Sequence, residues 1–398
     1  MALDDLTHEF LTRPYAVYDR LRESTPVHRT VGPDGLPVWI VTRYDDVREA
    51  LANPQLSLDK RNGTPGGYRG FRLPPALDAN LLNMDAPDHT RIRRLVTKTF
   101  TARRIEQLRE PIRHIADELL DGIATDGQTE LIASYAAPLP INAICELLGV
   151  PREARRDFRV WTDALLLPDP ARPDAARNAV GQLIAYVRDL LEHKRREPAD
   201  DLLSALIAVR DEPGPDGTDR LSEDELTSLV FLILFVGYEN TVHVIGTSVL
   251  ALLRDPRLFA ELRQNPVKVA AAVDEFMRYE GSALLAIRRF PIVDLTIGGV
   301  TVPAGETVML CLAAANRDPS RFPEPDRIDL DRDAQGHVAL GHGLHHCLGA
   351  HLARLELEIA LTALLERFPL LALNTDEGSL RWRPSIRSRG LLALPVRY

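Results

Sequence analysis

The sequence predicts a mainly α-helical fold with small β-sheets, and three observations carry that prediction. Apolar residues recur at spacings of three and four along most of the chain. One stretch, opened by a capping box at Ser222-Glu-Asp-Glu and closed near Arg254 before Asp255-Pro256, predicts a helix of about 50 Å, long enough to cross a domain. Strand-like stretches are short and local.

In chain order, the helical spacing covers 43–51, 90–100, 103–123, 200–210, the long segment from Ser222, and 266–279. Residues 229–237 (LVFLILFVG) are apolar on every side, which predicts a helix buried in the core. Strands are expected at 37–42 and in 295–310, as sheet edges and a hairpin turning at Gly298-Gly299, with a further short β region from Arg381 onward. Two irregular stretches, 60–80 (rich in Gly, Pro and Arg) and 167–174 (rich in Pro), read as binding loops or as disorder. Residues 213–217 read as a turn between helices. No internal repeat or linker composition divides the chain, so one domain over 1–398 is the expectation.

Composition narrows the function. The 398 residues are 45% hydrophobic, enough for a substantial core. A net charge of −9 argues against binding a nucleic-acid backbone, which needs a basic surface. Cys145, Cys311 and Cys347 are too few, and odd in number, for a disulfide framework, so a reducing cytoplasm is expected. The first residues, MALDDLTHEF, have neither the basic nor the apolar region of a signal peptide. The longest apolar run, 229–236, is too short to span a bilayer, so no membrane association is expected.

The chemistry concentrates near the C-terminus, at Ala339-Leu-Gly-His-Gly-Leu-His-His-Cys347-Leu-Gly-Ala-His-Leu-Ala-Arg354. A glycine-rich loop delivers Cys347 into a helix with Leu348, Leu352, Leu355 and Ile359 on one face. A helix N-terminus favours a thiolate through its partial positive charge and free N–H groups. Gly341, Gly343 and Gly349 let the backbone approach something large and flat. Zinc is the competing use of His342, His345, His346 and Cys347, but zinc ligands come as spaced pairs from two places and these are nearly contiguous.

This loop resembles the cysteine-ligand signature of the cytochrome P450 family, Phe-Gly-x-Gly-x-His-x-Cys-x-Gly before a helix. Gly341, Gly343, His345, Cys347 and Gly349 match, and Ala353-Arg354 continues the pattern. Leu340 stands where the family has Phe, which alters the packing beside the sulfur. The resemblance implies the family's fold, with a long central helix over a buried haem b whose iron Cys347 holds. It extends in order along nearly the whole chain. His89 and Arg93, one helical turn apart, resemble the family's propionate-binding helix, and Arg289 and His345 match two further propionate positions; the spacing to Gly298-Gly299 favours Arg289 over Arg288. Glu275 and Arg278 have the family's Glu-x-x-Arg spacing. By resemblance Arg327 joins them in a buried structural charge network.

In the family, the middle of the long helix carries an acid and a Thr that pass protons for cleavage of the dioxygen bond. Here Glu239 matches the acid, and Asn240 replaces the alcohol. A carboxamide holds water but relays no proton as a hydroxyl does. Thr241, the neighbour, is rotated by about 100° from Asn240 on a helix and so is not expected to substitute for it directly, and His243 lies one turn beyond Glu239. The resemblance implies a monooxygenase that uses O2 to hydroxylate a lipophilic natural product, such as a macrolide, peptide or polycycle. Asn240 also admits oxidative radical coupling of aromatic rings, and a haem-thiolate sensor without turnover is a third class that Glu239 argues against. The family topology implies a pocket walled by Leu82, Val236, Ala283, Leu284, Ala286 and Ile386, with Ser282 where relatives often have Pro. No flavin or nicotinamide fingerprint appears, so a ferredoxin and its reductase are the expected electron donors, docking on Arg91, Arg94, Lys98, Arg103, Arg104, His342 and His346. A monomer is expected.

Overall fold

Helices dominate, and they are arranged around one of them. The computed structural model describes residues 13–32, 34–66, 80–123, 125–166, 174–211 and 220–398. The first ten residues, the middle of the first irregular stretch, most of the second and the 213–217 turn therefore lie outside the described residues.

The central helix runs Glu223–Arg254, and both halves of its capping box are present: the Ser222 hydroxyl accepts from Glu225 N–H while the Glu225 carboxylate accepts from Ser222 N–H. It stops where Asp255 caps the next helix, Pro256–Gln264, by accepting from the N–H groups of Arg257 and Leu258. The central helix is long and apolar enough to cross a membrane, but about two-thirds of its most apolar window (67%) is buried inside the fold, which explains its composition as that of a core helix. It packs on Pro138–Leu148, Val267–Glu280 and Ala350–Arg367. Gly237 sits at the first of these crossings. A Cβ there would lie 2.8 Å from Ile144 Cδ1, so a larger residue would require that side chain to shift.

The expected helix over 103–123 is two helices, Ala102–Glu106 and Arg109–Ile123. Pro111 fits the first turn of the second, where its missing N–H costs nothing, and would break a continuous helix. The remaining helical expectations are found as Tyr44–Ala52, Asp88–Thr97, Leu202–Asp211 and Val267–Glu280.

Strand 37–41 is central rather than an edge: it runs antiparallel to Val27–Val31 and parallel to Thr307–Leu310. The hairpin Leu295–Ile297 and Val300–Val302 turns at Gly298-Gly299, both at positive φ. The C-terminal strand Pro395–Arg397 pairs with Gln128–Glu130 and Ala372–Leu373. Small apolar cores under these sheets adjoin the large helical core.

Candidate active site

A cavity of about 320 Å³ lies between the central helix and the cysteine loop. Val236, Gly237, Asn240, Thr241 and Val244 form one wall; Ala283, Leu285, Ala286 and Ile287 form a second; Cys347, Leu348, Leu352 and Glu356 lie opposite the first.

The loop that carries Cys347 is shaped by backbone hydrogen bonds. Val338 N–H donates to Asn316 Oδ1 at 2.7 Å, Gly341 N–H to Val338 O at 2.9 Å, and Cys347 N–H to Leu340 O at 2.8 Å. Gly341 and Gly343 both have φ of +73°, and a Cβ on Gly343 would sit 2.9 Å from Ala52 Cα. Only glycine fits that turn. Cys347 precedes the Gly349 N-cap of Ala350–Arg367, so it enters the helix just ahead of its first turn. Burial pushes its thiol up, while the Gly349 N–H and the charges of Arg93 and Arg354 pull the other way.

One edge of the cavity gathers His89, Arg93, Arg289 and His345. The rings of His89 and His345 lie 4.1 Å apart. Both ring nitrogens of His89, Nδ1 of His345 and Nε of Arg289 are buried without hydrogen-bond partners among the described residues. Burial, reinforced by neighbouring positive charge, lowers His89 to about 4 and His345 to about 3, and burial lowers Arg289 to about 10. Asp85, the nearby acid, already accepts from the Ser57 hydroxyl and Leu58 N–H. Buried donors that repel one another call for anions, since an unmet buried donor costs about 1–3 kcal/mol. Set beside an apolar cavity bordered by a thiol, they fit a porphyrin carrying two propionates.

On the central helix, Asn240 donates weakly from Nδ2 to Val236 O at 3.4 Å and accepts from the Ser282 hydroxyl at 3.1 Å. Thr241 is not turned away: it lines the cavity beside Asn240, because the cavity spans a broad arc of the helix surface. Its hydroxyl donates to Gly237 O at 3.1 Å and also hydrogen-bonds the Glu356 carboxyl. Glu356 is 1% exposed, its Oε1 has no partner, and burial raises its pKa well above the ordinary value, which favours the protonated form. Glu239 lies outside the cavity lining and pairs instead with Arg383 at 3.0 Å, with His243 Nε2 at 3.5 Å.

Three further expectations change. Arg327 is outside the buried network: its side chain is 63% exposed and pairs with Asp329 and Glu324, and only its backbone oxygen meets Arg278. Arg332, 9% exposed, takes the place beside Glu275 at 3.1 Å, with Arg278 gripping the same carboxylate through two bonds. Leu82, Val236, Ala283 and Ala286 line the cavity, but Leu284 and Ile386 pack in the core under the first sheet. Along the 283–287 stretch Leu284 alone is outside the lining, and Leu285 and Ile287 line the cavity with Ala283 and Ala286. In the basic surface, Arg91 is bound to Glu225 and Arg104 to Asp200.

Glu356 and Arg332 escape a reading by motif. Glu356 nonetheless leaves a trace, since it sits in the apolar stripe Leu352, Leu355, Ile359 where a carboxylate has no business unless it is used.

A fold of this topology with a cysteine loop, an anion cradle and a facing helix turn is that of a haem-thiolate oxygenase. The sequence model of cytochrome P450 matches residues 161–386, and the chain belongs to that family. It is therefore an oxidoreductase of monooxygenase type with haem b as its cofactor. It is 48% identical over 387 residues to the vitamin D(3) 25-hydroxylase of Pseudonocardia autotrophica, covering 97% of this chain and 94% of that one. To the 6-deoxyerythronolide B hydroxylase of Saccharopolyspora erythraea it is 41% identical over 393 residues, covering 96% and 95%. The crystal structure of the myxobacterial CYP267B1 with myristic acid superposes with a TM-score of 0.92 at 40% identity, covering 100% and 99%.

Proposed function

We propose that the chain hydroxylates a C–H bond of a lipophilic natural product, of the polyketide or polycyclic kind. The observation that carries this is the cavity wall: apolar side chains surround one polar pair, Asn240 with Ser282, and one buried acid, Glu356, in contact with Thr241. Haem b, when bound, supplies dioxygen activation and delivers one oxygen atom to carbon. The relatives named for hydroxylating vitamin D3 and a macrolide aglycone support the substrate class.

His89, Arg93, Arg289 and His345 hold the propionates, Cys347 provides the thiolate, and Gly349 N–H steadies the sulfur. Glu356 holds a proton in the dry interior and passes it through the Thr241 hydroxyl toward the cavity. Glu239, bound to Arg383, supplies charge balance on the outer side of that turn. The Ser282 hydroxyl donates to Asn240 Oδ1, which fixes the amide so that an N–H faces the cavity, suited to a carbonyl or ether oxygen of the substrate. A hydroxyl on the cavity wall favours hydroxylation over radical coupling, since coupling was suggested by the loss of one.

Electrons come from a ferredoxin and its reductase, with the exposed Lys98, Arg103 and His346 as basic contacts. The test is reconstitution with a ferredoxin pair and a panel of macrolide aglycones and sterols. A blue-shifted haem spectrum on binding and a mono-oxygenated product support the assignment; dimeric products without oxygen incorporation contradict it.

A further inference from the structure

The cysteine loop is held by a residue that the site above does not use. Asp274, on Val267–Glu280, meets both of its flanks through one oxygen. Upstream of Cys347, His337 Nε2 lies 3.1 Å from Asp274 Oδ1. Downstream, Arg354 Nε donates to the same oxygen at 2.7 Å. His337 Nδ1 accepts the Ala339 N–H at 3.2 Å, so the ring proton sits on Nε2 and points at Asp274. The His337 side chain is 3% exposed, which leaves it no competing water.

We infer that Asp274 is a positioning residue for the thiolate, clamping the loop on either side of Cys347. The clamp fixes where the loop enters and leaves, so Cys347 is presented to the cavity on a closed frame. The adjacent Glu275 anchors the same helix through Arg278 and Arg332, so the clamp stands on a rigid support.

The experiment uses the haem-loaded protein and needs no substrate. Asp274→Asn keeps the shape and removes the charge, while Asp274→Glu keeps the charge. The readouts are the midpoint potential and the rate at which the thiolate-type carbon monoxide spectrum converts to the thiol type. With the clamp weakened, Asp274→Asn is expected to convert roughly tenfold faster or more, and the lost negative charge is expected to shift the potential positive. Asp274→Glu is expected to restore most of both. A purely structural role lowers thermal stability and moves neither readout, and that result overturns the inference. If Asp274→Asn fails to take up haem, His337→Gln and Arg354→Gln each remove one arm. Faster conversion in both, with less than additive effect in the double variant, supports the clamp. Unchanged conversion in both refutes it.

Discussion

Replacing Glu356 by Gln separates the proton-supply role from every other feature of the site. The carboxyl is buried, has one side-chain partner in Thr241, and leaves Oε1 unmatched. Gln keeps the volume and the contact to Thr241 but has no ionisable proton. Loss of a positioned general acid costs about 10²–10⁴ in rate, so product formation is expected to fall by that order while electrons drain into hydrogen peroxide. Stability moves independently of activity. In the folded chain Glu356 binds a proton from its ordinary value of 4.5 up to its raised pKa, whereas the unfolded chain has released it. Stability contributed by this group is therefore present below the unfolded value and is lost as pH rises toward the folded one, a slope that Gln removes. A Leu at this position also removes the unmatched oxygen, worth about 1–3 kcal/mol, or roughly 1–3 °C in a chain of this length. Peroxide yield against product, measured by coupled oxygen consumption, decides the matter. Full coupling in Glu356→Gln at every pH would refute the assignment.

The buried charge network gives a sharper contrast between two arginines. Arg332→Ala strips a buried carboxylate of a partner and is expected to cost about 3–5 kcal/mol, whereas Arg327→Ala, at an exposed site, stays within about 0.5 kcal/mol; chemical denaturation reads both. Arg289→Leu removes a buried cation from the propionate cradle and is expected to weaken haem retention by roughly tenfold or more, measured by haem transfer to an acceptor protein. Ser282→Ala frees the Asn240 amide to flip. The expected outcome is a changed ratio of hydroxylated positions with little effect on stability, and an unchanged product pattern at normal coupling contradicts the fixed-amide reading.

The sequence carried the fold through local signals. A capping box, an Asp-Pro stop and a Gly-Gly turn are each decided by neighbours within a few residues, and each is found where the pattern put it. The cysteine loop was legible for the same reason: Gly341 and Gly343 answer to positive φ angles that glycine adopts without strain. What was not legible depends on contacts across the chain. Nothing local distinguishes Arg327 from Arg332, because the choice is made by which side chain reaches Glu275 from a distant turn. Leu284 and Leu285 differ only in which face of an irregular strand meets the cavity. Glu239 occupies the motif position but turns to Arg383, a partner far along the chain, while Glu356 reaches the cavity from the cysteine helix. The motif marks the turn, and the partners of its side chains are set by tertiary structure.

The account rests on Cys347 as the sulfur that holds the haem iron, and one measurement addresses it most directly. The ferrous carbon monoxide spectrum of Cys347→Ser is compared with those of Cys145→Ser and Cys311→Ser, whose thiols are buried away from the cavity. The thiolate-type band is predicted to vanish in the first variant and to persist in the other two. Persistence of that band in Cys347→Ser would contradict the account.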